Sequence, residues 1–119
     1  MSVRFEQRVI PRTADYAINP AVDRAGQVFT NRGAAAPVTF TLPKPTLSVK
    51  GWWYEVRVVA DQTVTIAGKT AGDLVAFNNA AAASVAFSTA ANKIGSRATA
   101  FCDGASWHVS TSGGAATVA

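Results

Sequence analysis

Four stretches of this sequence hold residue types that do chemistry, and their spacing decides what each can do. Ala67-Gly68-Lys69-Thr70 has the ending of a phosphate-binding loop, where backbone amides, a lysine and a hydroxyl converge on a phosphate. That loop needs another glycine five residues before Gly68, where this chain has Thr63, and Gly72 interrupts the helix that must follow. A turn between strands is the expectation. His108 is the sole histidine, which removes two-histidine metal sites. Asp103 and Ser106 beside it complete the residue types of a hydrolytic triad. No Gly-x-Ser-x-Gly elbow accompanies them and all three fall on one turn, so chance grouping around an exposed strand histidine is expected. Asp61, Asp73 and Asp103 each sit in turn sequence, where Asp bonds nearby amides, and nothing pairs two of them for glycoside hydrolysis.

Cys102 is the single cysteine, so neither an internal disulfide nor a cysteine metal cluster is available. Within Ala100-Phe101-Cys102 it reads as a small buried hydrophobe. Together these readings predict a protein that is not an enzyme and carries no cofactor. What remains is Trp52-Trp53: on a strand, neighbouring side chains point to opposite faces, so one ring enters the core and the other nears the surface. A subunit contact is the preferred reading of the outer ring and sugar stacking the alternative.

The elements behind these residues are strands. Val38, Phe40 and Leu42 alternate with Thr39 and Thr41, and Val64 and Ile66 with Thr63 and Thr65, the period of half-buried β structure. Between them Trp52, Tyr54, Val56, Val58 and Ala60 share one face, and Trp53, Glu55, Arg57 and Val59 the other. The expected core is Phe40, Leu42, Tyr54, Val56, Val58, Val64 and Ile66. Asp61-Gln62 reads as a two-residue hairpin loop, Ala80 to Ala83 as loop, and Asp103-Gly104 as a hairpin turn between 97–102 and 107–110. Leu74 to Phe77 is apolar on both faces, which predicts cover on both sides, one of them from another subunit.

At 119 residues the chain fits one domain, 49% hydrophobic and rich in Ala and Val rather than helix formers. Its net charge of +4 is scattered, without the basic run of a nucleic-acid tail. No apolar run approaches the ~18 residues of a membrane span, and the N-terminus lacks an apolar leader core, so a protein made soluble in the cytoplasm is expected. Short strands punctuated by Gly, Pro, Asn and Asp predict an all-β fold, a single-domain β-sandwich or small barrel of jelly-roll type. Residues 1–12 form an extended N-terminal arm or edge strand, 13–111 the β domain and 112–119 a flexible tail.

The ordered set Ala14-Asp15-Tyr16, Val28 to Ala34, Val38 to Pro43, Gly51-Trp52-Trp53-Tyr54, Ile94-Gly95-Ser96 and Asp103 to Trp107 resembles a pattern in small β-rich structural proteins of tailed phages. These include capsid decoration (cement) proteins and head- or tail-fibre modules. The resemblance implies a virion protein, often a homotrimer, and leaves capsid and tail both open. An arm followed by a β module without coiled-coil heptads or long repeats favours decoration. The expected partner is then the major capsid protein on the capsid exterior, with tail-fibre or receptor-binding module as the alternative. Val3, Arg4, Phe5, Arg8 and Val9 are the expected capsid or subunit contacts, and Trp52, Trp53, Val75 and Phe77 the oligomer interface.

Overall fold

The computed structural model describes residues 8–90 and 93–119. Its strands are β1 (Val9–Pro11), β2 (Tyr16–Ala17), β3 (Val28–Thr30), β4 (Val38–Thr41), β5 (Trp53–Arg57) and β6 (Val64–Ala67). There follow β7 (Leu74–Ala76), β8 (Asn79–Ala82), β9 (Ser84–Phe87), β10 (Arg97–Cys102), β11 (Trp107–Ser112) and β12 (Thr117–Val118). A short 3-10 turn, Leu47–Val49, precedes β5. The chain is all-β. A seven-stranded sheet, β1-β3-β5-β10-β11-β7-β8, faces a five-stranded sheet, β12-β9-β6-β4-β2, across one core.

The first six strands alternate between the sheets. β1, β3 and β5 lie parallel in the larger sheet, and β2, β4 and β6 parallel in the smaller, so the chain winds between the layers in three coils. Successive coils stack like on like: Tyr16, Phe40 and Ile66 are in register, as are Ile10, Phe29 and Val56. Prolines 11, 20, 37 and 43 stand at the ends of these strands and loops, where they cannot donate to a ladder and the chain leaves the sheet. Asp61-Gln62 is therefore no hairpin loop, because β5 and β6 belong to different sheets. The crossover is held by buried Asn31, whose Oδ1 accepts from the amides of Val59 (2.7 Å) and Ala60 (2.9 Å). Its Nδ2 donates to the Ala60 carbonyl (3.1 Å). These bonds take up backbone groups that a hairpin would have paired across its own strands.

The later strands fold back locally. β10 and β11 pair antiparallel from Arg97↔Ser112 to Cys102↔Trp107, as the Asp103-Gly104 signal predicts. β7 and β8 also form a hairpin, and its turn residues Phe77 and Asn78 have φ of +46° and +65°. Positive φ at both turn positions matches the twist of the flanking strands, so Asn79–Ala82 is a strand and not the expected loop. The chain's end is also more ordered than its Gly-Ser-Ala composition predicts: Thr117 and Val118 pair with Ala86 and Val85. At the other end, residues 9–11 of the expected arm lie within the larger sheet as its edge strand.

The seven residues expected in the core are all buried, none more than 3% exposed. Phe29 of the larger sheet meets Phe40 of the smaller at 5.5 Å between ring centroids, and Tyr54 meets Trp107 at 5.7 Å. The polar tips of these large rings are satisfied: Trp107 Nε1 donates to the Pro43 carbonyl (2.7 Å) and the Tyr54 hydroxyl to the Asp23 carbonyl (2.6 Å). Burial, reinforced by the Asp23 charge, pushes the Tyr54 phenol well above its ordinary range. Buried Asp23 in turn accepts from the Tyr16 hydroxyl (2.5 Å), the Asn19 amide (2.9 Å) and Gln27 Nε2 (3.1 Å). This cluster fastens the loop between β2 and β3. Cys102 is buried, as its apolar surroundings predict.

Candidate functional site

The Asp103, Ser106 and His108 grouping is a turn clamp. His108 Nε2 lies 2.7 Å from Asp103 Oδ2, while Asp103 Oδ1 accepts from the amides of Ala105 and Ser106, both at 2.8 Å. A hydrolytic triad places the imidazole between carboxylate and serine hydroxyl; here the carboxylate instead joins the imidazole to the serine's backbone. The His108 hydrogen bond first, and the two amides second, lower the Asp103 carboxyl to a pKa of about 2.

Gly68 is set by close approach. A Cβ there would stand 2.8 Å from Asp73 Cβ and 2.9 Å from the Thr70 carbonyl. Asp73 accepts from the Thr70 amide (3.0 Å) and from Lys44 Nζ (3.3 Å), so that amide serves the turn and is not offered to a phosphate. Asp61 meets Lys93 Nζ at 3.4 Å. Each of the three turn carboxylates thus has a cationic or imidazole partner of its own.

The feature that brings distant residues together is the outward face of the larger sheet. Cross-strand register sets Trp53 opposite Phe101, Phe101 opposite His108, and His108 opposite Val75, giving one aromatic-rich row across β5, β10, β11 and β7. Phe101 is 46% exposed, and its ring centroid lies 6.4 Å from that of His108. Trp53 lies over Gly26, whose missing Cβ would stand only 3.3 Å from Trp53 Cζ2. The next row is Glu55, Thr99 and Ser110, and the third Arg57, Arg97 and Ser112. Arg57 Nε donates to Glu55 Oε2 at 2.5 Å. A shallow cavity of about 340 Å³ opens here, lined by Glu55, Arg97, Thr99, Ser110, Thr111 and Ser112.

Of the residues expected at an oligomer interface, Trp53 and Val75 share the aromatic row. Trp52 is half-buried against the core, and Phe77 stands apart at the β7–β8 turn, 56% exposed. Of the expected arm contacts, Val3, Arg4 and Phe5 lie outside the described residues. Arg8 receives the Val28 amide on its carbonyl (2.8 Å), and Val9 is 61% exposed on the edge strand. Phe101 was the residue missed. Its signal was present, since Ala98, Ala100 and Cys102 alternate with Arg97, Thr99 and Phe101, which places the phenyl ring on the wet face. No protein-family model matches the chain, and no curated protein matches it either.

Proposed function

We propose that this chain is a structural protein of a tailed-phage virion, a capsid decoration protein that binds the assembled head lattice from outside. The observation that carries the reading is the edge strand β1. It is bonded to β3, its other edge faces no strand among the described residues, and it presents Arg8 and the exposed Val9 where the N-terminal segment joins the sandwich. An open edge of this kind accepts a strand or an arm from a neighbour. Binding only the assembled lattice stabilises it by mass action, and a homotrimer would multiply a weak contact through avidity. Within such a trimer the exposed Phe77 turn is the subunit contact.

The test is co-sedimentation with capsids that lack the protein. Deleting residues 2–7, or changing Val9 to Asp, should sharply lower the bound fraction while leaving the thermal melt cooperative. Undiminished decoration by both variants would refute the edge as the lattice contact. The second reading, a tail-fibre or receptor-binding module, is favoured by the outward aromatic row. Copy number per virion separates the two, being comparable to the capsid protein for decoration and only a handful for a tail component.

A further inference from the structure

The outward face of the larger sheet has a composition that neither folding nor an edge contact explains. Trp53 and Phe101 are register partners at one end, the Trp53 ring over Gly26 and the Phe101 ring toward His108, and an exposed flat ring such as Phe101 stacks on the apolar C–H face of a pyranose. The middle row offers two hydroxyls, Thr99 and Ser110, beside the Glu55 carboxylate, whose side chain is 12% exposed. At the far end Arg57 and Arg97 stand directly opposite each other on neighbouring strands. Like charges so placed destabilise a sheet. Glu55 engages Arg57 through Nε, and Arg97 has no ion pair among the described residues. A carboxylate or sulfate at Arg97 would supply the counter-charge that Glu55 already gives Arg57, and would match the guanidinium donor geometry.

We infer that this face binds an acidic glycan, one sugar ring stacked on Phe101 and an anionic neighbour held by Arg97 beside Arg57. Four steps along the strand lead from Phe101 to Arg97, about 13 Å, which is longer than one pyranose and suits a short oligosaccharide along the strands. A protein partner is the poorer match, because protein interfaces centre on apolar side chains with a polar rim. Here the aromatic groups are at one end and the centre is a cavity lined by hydroxyls and charge.

The full chain should be titrated calorimetrically with polygalacturonate, heparin and neutral dextran, the first two distinguishing carboxylate from sulfate as the anion. Binding to at least one acidic polymer and none to dextran is expected. Phe101→Ala and Arg97→Glu should each weaken it at least tenfold. Lys69→Glu, the same charge change outside the face, should weaken it less than threefold. Phe101 is exposed, so its variant should melt like the parent. Failure of both acidic polymers to bind would overturn the proposal. So would binding that Phe101→Ala leaves intact or that Lys69→Glu weakens as much as Arg97→Glu, since that is mere adsorption of a polyanion. Self-association abolished by Phe101→Ala, with no polymer bound, would assign the face to a second copy of the chain.

Discussion

The two halves of the sandwich are built by different means. From residue 9 to 67 the chain crosses from sheet to sheet, and every neighbour it pairs with inside this half is parallel and one coil away. From residue 74 onward, β7–β8 and β10–β11 are hairpins whose partners are adjacent in sequence. The coiled half therefore depends on buried polar side chains, Asn31 and Asp23, to satisfy crossovers that have no ladder of their own. The hairpin half depends on turns, with Phe77 and Asn78 or Asp103 and Gly104 setting the register. Polar burial in this protein is a device of connection, placed where the path between layers would otherwise leave amides unpaired.

The widest contrast should come from two phenylalanines. Phe40→Ala removes a fully buried ring from the coiled half and should cost roughly 3 to 5 kcal/mol in denaturant unfolding, whereas exposed Phe101→Ala should stay within about 0.5 kcal/mol. Equal effects would break the assignment of inner and outer faces. Next, Asn31→Ala strips the β5–β6 crossover of three hydrogen bonds and should cost roughly 2 to 3 kcal/mol, because buried amides are left without partners. Asn31→Asp, which retains the acceptor, should recover part of that loss above the carboxylate range. In the hairpin half the sign reverses. Measured on the monomer at low concentration, Phe77→Gly should raise stability by about 1 kcal/mol, since a bulky residue at φ +46° is strained and glycine is not. A fall in melting temperature would mean that the ring makes contacts worth more than the strain.

The smallest effect concerns pH. The Asp103 carboxyl is lowered to about 2 by His108 and two amides. A depressed folded pKa stabilises above the unfolded value of about 4 and loses that contribution as pH falls through about 2. Carboxyl NMR titration should place the Asp103 midpoint near 2, and His108→Gln should move it up toward the ordinary carboxylate range. An unmoved midpoint would assign the shift to the backbone amides alone.

Legibility in the sequence followed the same division. Alternation gave the inward face of β4, β5 and β6 residue by residue, and Asp103-Gly104 gave the β10–β11 hairpin, because both signals are local. Pairing between coils leaves no local mark: the parallel contact of Val38 with Val64 spans a loop and a strand of the opposite sheet. Hence Asp61-Gln62 reads as a hairpin in sequence and is a crossover in space. Ala80 to Ala83 carries no β-branched or aromatic residue, so only the turn before it makes it a strand. Trp53 and Val75 were visible as outward candidates. Their meeting through Phe101 and His108 depends on strand order, which no spacing along the chain encodes.

The place of β10 in the larger sheet has a kinetic consequence. β5 obtains its antiparallel neighbour only when residues 97–102 exist, and Cys102 is synthesised 45 residues after Arg57 (102 − 57). At translation rates of roughly 5 to 20 residues per second, that leaves roughly two to nine seconds in which β5 has β3 on one side and no strand on the other. The β10–β11 hairpin, by contrast, closes within microseconds once its turn has been made. The hairpin should therefore form as a unit and close the larger sheet by docking on the open side of β5.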